Sequence, residues 1–379
     1  MTAVNADCDI LILGAGPAGA AAALFAAAKG LNVAVLDRGA KHKAGQTFEW
    51  VHPDARALLD KVGGSIDPVA VGKIDRIRFL DTRGEKEAGV SIDRPVDIVD
   101  TWQLTRNLLS AAKKAGLRII NDVEVTAIDV HEQGVHLADG DGNLHAGRIL
   151  LAADGCDSLV AKSLGVERGA EYRTGGRNRD VIMEAVTSLP SSAIPDGPAE
   201  LTLSLSSEDF GTFGYAFVAG KRQVAGLIAR ASDDDSQAEY ERFIANNPAS
   251  GVVATALASG SARTSVRPLP RGVALDTETH VAKHCLSIGD AGGYVCALSQ
   301  EGLYPSLWSA KLAVDVCETA LQNAHPQDAL IEFDARWRQE MVDYLRLPNA
   351  DLRFLLPLIF TNDRMAKKLA HSFLLGENI

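Results

Sequence analysis

A glycine-rich turn near the start of the chain has the residue spacing of a dinucleotide-binding site. Its six residues are Gly14, Ala15, Gly16, Pro17, Ala18 and Gly19. The first glycine permits a sharp turn from strand to helix, the second lets the backbone approach a pyrophosphate, and the third lets the helix pack closely on the strand. The free N–H groups and the dipole of that helix then attract phosphates. The spacing therefore predicts a nucleotide site at this turn.

Residues on either side of the turn predict the elements that must position it. Apolar runs predict a strand over 9–13, a helix over 18–29 and a second strand over 32–36. Asp37 closes the second strand about twenty residues after the glycines, where an acid accepts hydrogen bonds from ribose hydroxyls. Arg38 has two interpretations, a contact with an adenosine phosphate or a surface charge. This βαβ unit predicts a Rossmann-type domain.

Two later elements, an Asp–Gly pair and a Gly–Asp–Ala run, decide which dinucleotide is expected. Asp154 follows an apolar strand over 148–152, and Gly289 and Asp290 follow another over 284–288. Each element alone is compatible with an ordinary turn, since Asp-Gly is common in hairpins. In a large flavoprotein the second element puts a carboxylate beside the ribityl chain. The order and spacing of both elements behind the glycine turn therefore indicate FAD rather than NAD.

With these motifs the chain resembles the FAD-dependent aromatic-hydroxylase-like superfamily over residues 9–316. The stretch 298–310, LSQEGLYPSLWSA, is similar to the glycine-and-helix element of its geranylgeranyl-reductase-like branch, which flavin-dependent halogenases share in looser form. The resemblance implies FAD as the cofactor and places the backbone N–H groups of Gly302 and Leu303 at the flavin pyrimidine edge. A helix start aimed at that edge stabilises negative charge on reduced flavin.

The same resemblance implies further cofactor contacts. Gln103 opens a helix that approaches the FAD pyrophosphate in this superfamily, and Val125 lies where such proteins offer backbone groups to adenine. Asp154 belongs to an element that touches both cofactors in the hydroxylase relatives. Gln46 is expected at the cofactor within the segment 44–50, where the reductase branch often has a Cys-Gly pair. This chain has no cysteine there, which argues against a thiol-assisted mechanism.

Tyr215 and Phe217 are the candidate substrate-contacting residues. They alternate along one strand and are followed by Gly226, similar to the aromatic strand and glycine that line the substrate cavity in the reductase branch. Phe217 stands where that branch usually has tryptophan. The alternative is an amphipathic strand that buries both rings in a core, and the sequence leaves these two interpretations open.

Composition excludes several classes of partner. The 379 residues have a formal net charge of −11, which argues against nucleic acid as a partner because binding it needs a basic face. Five scattered cysteines without a CxxC pair predict neither a metal site nor a disulfide framework, and they favour a reducing cytoplasm. The uncharged run over 10–28 begins like a strand and contains glycines, so we expect a buried strand and helix rather than a transmembrane segment.

The predicted fold class is α/β, a discontinuous Rossmann-type FAD-binding domain with an inserted mixed or antiparallel sheet domain for the substrate and a helical C-terminus. The FAD-binding domain is assigned to residues 1–73, 97–170 and 268–320, the substrate domain to 74–96 and 171–267, and the helical region to 321–379. The apolar tail over 351–375 either contacts a membrane surface peripherally or packs as helices broken by Pro357, and we favour packing.

These features together predict an FAD-dependent oxidoreductase that acts on an apolar or carrier-bound organic substrate. The resemblance implies geranylgeranyl-reductase-like chemistry, in which reduced flavin delivers hydride to a carbon–carbon double bond. The alternatives are a monooxygenase that hydroxylates through a flavin C4a-hydroperoxide, a halogenase, and a non-catalytic accessory protein. Only one dinucleotide fingerprint is visible, so NAD(P)H would bind transiently or a separate reductase would supply the electrons. No catalytic acid or base is assigned.

Overall fold

A computed structural model describes residues 7–39, 44–165, 180–205, 212–230, 236–270, 273–323 and 325–379. Its strands are β1 (Cys8–Leu13), β2 (Val33–Asp37), β3 (Phe48–Val51), β4 (Ala70–Asp81), β5 (Glu87–Asp100), β6 (Arg118–Asn121), β7 (Val125–Val130), β8 (Val135–Asp139), β9 (Leu144–Ala152), β10 (Asp180–Ser188), β11 (Ala199–Leu205), β12 (Phe213–Ala219), β13 (Arg222–Arg230), β14 (Arg263–Leu269), β15 (Val281–Ala282) and β16 (Cys285–Ser287). Its α-helices are α1 (Pro17–Ala28), α2 (Asp54–Asp60), α3 (Thr101–Lys114), α4 (Leu159–Leu164), α5 (Ser236–Asn246), α6 (Gly251–Ala258), α7 (Val273–Asp276), α8 (Leu303–Leu321), α9 (Pro326–Leu330), α10 (Glu332–Leu345), α11 (Leu352–Ile359) and α12 (Asp363–Leu375). Short 3₁₀ helices span Asp67–Val69, Ser191–Ala193, Pro248–Ser250 and Gly289–Gly292.

The first sheet has the order β15-β16-β9-β1-β2-β6, with β7 and β8 joined to it through β9. Strand β1 pairs in parallel with both β2 and β9, so Ile12 lies between Val35 and Leu151. Because parallel strands end at one edge of a sheet, the carboxyl ends of β1, β2 and β9 lie side by side. The predicted Rossmann-type unit is confirmed.

The second sheet has the order β14-β10-β13-β12-β11-β4-β5-β3. Its neighbouring strands are antiparallel except for β11 and β4, which are parallel, so the sheet is mixed. Strand β3 pairs with the end of β5 in this sheet, although 48–51 falls in a segment assigned from the sequence to the FAD-binding domain. Four residues are too few to reveal from their pattern which sheet they join. The boundary assigned at 170 and 171 lies outside the described residues.

Helix α1 is rich in alanine and buried along most of its length, which lets it lie between the first sheet, α3 and α8. The chain ends in α9 to α12, which confirms the predicted helical C-terminus. Pro357 does not break the helix as expected: α11 continues through it to Ile359, and the bend comes at the following turn before α12. Within the described ranges, no helix has the length and apolar character needed to cross a membrane.

Candidate cofactor and substrate site

One cavity of about 530 Å³ extends from the glycine turn to the face of the second sheet. The predicted residues that line it are Gly14, Gly16, Pro17, Ala18, Asp37, Arg38, Val125, Asp154, Tyr215, Asp290, Gly302 and Leu303. The predicted residues outside its lining are Gly19, Gln46, Gln103, Gly289 and Phe217. Elements far apart in the sequence therefore meet around a single space.

The three glycines of the turn have different surroundings. Gly14 has a φ of 99°, and a Cβ atom added there would lie 2.3 Å from the Ala153 carbonyl oxygen. A Cβ atom on Gly19 would lie 1.9 Å from the Gly14 carbonyl oxygen. An added Cβ on Gly16 meets no atom of the described residues within 4 Å. Gly14 and Gly19 therefore permit close packing of the backbone, whereas Gly16 borders open space in the cavity.

Asp37 is held in place at the end of β2 by backbone donors. The N–H of Ala15 donates to its Oδ1 and the N–H of Gly39 donates to its Oδ2, each at 3.0 Å. The carboxylate is thereby fixed beside the glycine turn, the position in which it would meet a ribose. Arg38 follows it along the cavity wall.

Asp154 contributes a carboxylate to the cavity wall at the end of β9. Its Oδ2 accepts the N–H groups of Leu159 and Val160 at 2.7 and 3.3 Å, which ties it to the start of α4. Its Oδ1 is buried and has no hydrogen-bond partner among the described residues. A buried acceptor without a partner is costly, so this oxygen fits a donor group on a bound ligand.

The start of α8 faces the middle of the cavity. Gly302 precedes the helix, and Gly302 and Leu303 both line the cavity, so the positive end of the helix dipole faces a ligand bound there. Asp290 lies nearby, with its Oδ1 3.6 Å from a Cβ atom added at Gly302. Gly289 lies behind the lining, where an added Cβ would be 2.5 Å from the Ala18 side chain, so it lets this turn approach α1.

Glu301 is a site residue for which the sequence analysis proposed no role. It lines the cavity next to Gly302, and its carboxylate accepts the Tyr304 N–H at 2.6 Å and the Tyr344 hydroxyl at 2.8 Å. Burial raises the pKa of this carboxyl to about 8, because desolvation outweighs both hydrogen bonds. The sequence signal for this residue is an acid directly before the first turn of a predicted helix. That pattern does not reveal that the acid is buried.

Gln103, one of the predicted cofactor residues, has a local role in the structure. Gln103 donates both its backbone N–H and its side-chain amide to Asp100, each at 3.0 Å, and so supports the start of α3. Asp100 also accepts the N–H of Gly45 at 2.6 Å, which fixes the segment that contains Gln46. The residues of α3 that line the cavity are instead Thr101, Trp102 and Thr105. A cofactor contact by Gln46 or Gln103 stays a prediction.

The sheet end of the cavity combines aromatic and ionisable side chains. The Tyr215 hydroxyl donates to Glu184 Oε2 at 2.6 Å, and Arg267 pairs with Glu49 at 3.2 Å. The Trp50 ring lies edge-on to Tyr215, with ring centroids 5.7 Å apart. The sequence analysis identified only Tyr215 of these five, because the other four come from three other strands, β3, β10 and β14, and match no motif.

Phe217 lies behind this end, outside the cavity lining. Its ring is buried and lies edge-on to Trp50, with centroids 5.9 Å apart. Of the two interpretations of the aromatic strand, Tyr215 therefore has the position of a ligand-contacting residue and Phe217 that of a core residue. A direct substrate contact by either ring stays a prediction.

Comparison with known proteins agrees with this geometry. Residues 7–194 match the family described as an FAD binding domain. The chain is an FAD-dependent oxidoreductase. It is 25% identical over 352 residues to the digeranylgeranylglycerophospholipid reductase of Methanoculleus marisnigri, a match that covers 87% of this chain and 81% of the reductase.

Two solved structures share the fold of the oxidoreductase. A geranylgeranyl bacteriochlorophyll reductase-like protein from Thermoplasma acidophilum superposes with a TM-score of 0.71 at 14% identity, covering 98% of this chain and 97% of that one. PqsL of Pseudomonas aeruginosa, a probable FAD-dependent monooxygenase, superposes with a TM-score of 0.67 at 18% identity, covering 95% and 98%. At such identities these similarities establish the fold and leave the reaction open.

The residues of the oxidoreductase fit FAD at the cofactor end of the cavity. Gly16 leaves room for a pyrophosphate, Asp37 is held where a ribose would lie, and Asp154 offers an oxygen that has no partner in the described part of the chain. The start of α8 offers backbone N–H groups next to Asp290. Bound FAD supplies two-electron redox chemistry at its flavin ring. The protein positions the glycine turn, the two carboxylates and the start of α8 around the cofactor.

Proposed function

We propose that this oxidoreductase reduces a carbon–carbon double bond in an apolar or carrier-bound organic substrate. The observation that carries the proposal is the single cavity that joins the glycine turn to the second sheet, with Ile182, Ile228 and Leu269 on the wall at that far end. Such a wall suits an apolar group, because burying apolar surface is favourable. The reductase relative, which aligns with most of the chain, supports the same reaction class.

The deciding experiment mixes the anaerobically reduced holoenzyme with two alkenes and follows the flavin spectrum. The probes are geranylgeraniol, which has isolated double bonds, and citral, whose double bond is conjugated to an aldehyde. Reoxidation of the flavin together with a product two hydrogens heavier is the expected result. If neither alkene reoxidises the flavin, and oxygenated buffer gives a transient spectrum unlike reduced or oxidised flavin, the protein is a monooxygenase instead.

We further propose that the electrons come from NAD(P)H bound transiently or from a separate reductase. One dinucleotide-binding turn is seen in the described residues, and it is the turn assigned to FAD. Anaerobic mixing of the oxidised holoenzyme with NADH or NADPH separates the two sources. Direct bleaching of the flavin supports transient binding, whereas bleaching only after a flavin reductase is added supports the second source.

The C-terminal helices pack on the protein as favoured, with Leu355, Leu356 and Ile359 buried, and we also infer a peripheral membrane contact through their exposed side. Phe354 and Leu358 lie four residues apart on α11 and are 77% and 49% exposed, and Leu347 just before the helix is 48% exposed. Exposed apolar residues grouped in this way fit a lipid surface. Sedimentation with phosphatidylcholine vesicles tests this: we expect binding that Phe354→Ser weakens, and equal binding by both proteins would contradict it.

The cysteines support a reducing, cytoplasmic location for the enzyme. All five are buried, and Cys8, Cys285, Cys296 and Cys317 are free thiols in the structure. Buried thiols without disulfide partners are typical of proteins from reducing compartments. Fractionation of cells that express the native protein, followed by immunodetection, tests this location, and recovery from an oxidising compartment would contradict it.

A further inference from the structure

Three strands of the second sheet place a carboxyl, a glycine and a phenol in one row. Glu184 on β10 pairs with Gly226 on β13, and Gly226 pairs with Tyr215 on β12. Directly paired residues project to the same face of a sheet. Glu184 and Tyr215 both line the cavity, and Glu184 is only 3% exposed.

Gly226 is the feature that allows the outer two residues of the row to meet. A Cβ atom added there would lie 2.5 Å from both Cζ and Oη of Tyr215. The phenol ring therefore lies across the middle strand in the space that a side chain would fill. Its hydroxyl reaches Glu184 Oε2 at 2.6 Å, two strands away. Any other residue at Gly226 would separate this pair.

We propose that Tyr215 is the proton donor to the substrate and that Glu184 restores its proton. This proposal rests on the proposed reduction of a double bond, which forms two C–H bonds. One is formed with the hydride that reduced flavin supplies. For the other, the Tyr215 O–H bond breaks as its proton joins the second carbon. The Glu184 carboxyl then gives its proton to the phenolate oxygen, and the resulting carboxylate takes a proton from water before the next turnover.

The surroundings of Glu184 suit a group that holds a proton between turnovers. Burial raises the pKa of the Glu184 carboxyl, and this effect exceeds the lowering by the nearby Arg267 guanidinium and the Tyr215 hydroxyl. Glu49 raises it further, and Tyr240 of α5 is another titratable group nearby. When Glu184 is protonated, it donates to the phenol oxygen, and the phenol hydrogen is free to point into the cavity.

Single-turnover and steady-state rates test the two roles separately. The reduced holoenzyme is mixed anaerobically with the alkene that reoxidises the wild-type flavin. Tyr215→Phe should slow the first turnover about 100-fold or more, the usual contribution of general acid catalysis. Glu184→Gln should leave the first turnover within a few-fold of wild type, since Tyr215 still has its proton, and should slow later turnovers. A purely structural role for Glu184 would slow the first and later turnovers equally.

Two glycine variants provide matched controls for the geometry. Gly226→Ala should displace the phenol ring and slow the first turnover as Tyr215→Phe does. Gly72→Ala, in β4 of the same sheet, adds a Cβ no closer than 3.5 Å to its nearest neighbour and should leave the rate unchanged. FAD content and flavin midpoint potential are measured for every variant and should match wild type.

The outcomes distinguish the relay from the reaction on which it rests. If Tyr215→Phe reoxidises as fast as wild type, the relay is wrong and the proposed reduction stands. If wild-type reduced enzyme is reoxidised by neither alkene, the proposed reduction fails, and the relay fails with it. A slow first turnover in Tyr215→Phe with unchanged FAD content, together with the split between first and later turnovers in Glu184→Gln, supports the relay.

Discussion

The cofactor end of the cavity is formed mainly by backbone groups and by carboxylates fixed by backbone donors, whereas its sheet end is formed by side chains from separate strands. At the cofactor end, Gly16 borders open space, and Asp37 accepts the N–H groups of Ala15 in the glycine turn and of Gly39. At the sheet end, Glu184, Tyr215 and Arg267 come from β10, β12 and β14. A site made from one short local segment leaves a motif in the sequence, and a site made across a sheet does not.

This contrast gives each end its own sensitivity to mutation. The cofactor end depends on the absence of side chains at three positions close together in the chain. The sheet end depends on one hydrogen bond between residues 31 positions apart. Substitutions in the glycine turn should therefore affect FAD binding, and substitutions in the second sheet should affect the sheet end of the cavity.

The largest expected effect is the loss of FAD from Gly16→Val. The Cβ of the new side chain meets no atom of the described residues within 4 Å, so the fold should remain, but the side chain fills the space assigned to the pyrophosphate. Flavin absorbance of the purified protein measures occupancy, and circular dichroism checks the fold. A variant that purifies with full FAD would show that the cofactor is bound elsewhere.

Gly19→Ala should act on stability instead of on the ligand site. Its Cβ would lie 1.9 Å from the Gly14 carbonyl oxygen, so α1 has to move away from β1. We expect a loss of stability on the order of 3 kcal/mol, the upper range for overpacking. Thermal unfolding without added FAD measures the change, with Gly16→Ala as the matched control. Equal Tm values for the two variants would contradict the different roles assigned to these glycines.

Glu301→Gln should change how stability depends on pH. The pKa of Glu301 is raised to about 8 in the folded protein, above its ordinary value. As pH rises through the window between these values, the unfolded chain releases this proton first, so wild-type stability falls. The Tm of the variant relative to wild type should therefore increase from pH 5 to pH 8. The exposed Glu278→Gln should show no such trend, and a flat difference for Glu301→Gln would refute the assignment.

Tyr215→Phe should produce the smallest of these effects on binding and stability. It removes the hydrogen bond to Glu184, so we expect a loss of about 1 kcal/mol in unfolding free energy. The dissociation constant of FAD should stay within twofold of wild type, because the cofactor groups lie at the other end of the cavity. Titration of the apoprotein with FAD measures it. A large loss of FAD affinity would show that the two ends are not separate.

Much of the cofactor end could be predicted because its parts are local. The glycine turn, Asp37, Asp154, Asp290 and Gly302 each follow or precede an element whose apolar pattern was readable, and all line the cavity. Gln103 is the instructive exception. Its position on α3 was predicted well, but its amide turns to Asp100 instead of the cavity, and side-chain direction is set by neighbours that the sequence does not reveal.

The sequence by itself determined the Rossmann-type unit and the class of cofactor, because the glycine spacing, the strand and helix periods and the terminal acids are all short-range features of the chain. Only the tertiary structure decided what lies opposite the cofactor. Strand β3 joins the second sheet, the burial of Glu301 raises its pKa, and Gly226 lets Tyr215 reach Glu184. These properties depend on strand pairing and on the exclusion of water, and both arise only when distant segments pack together.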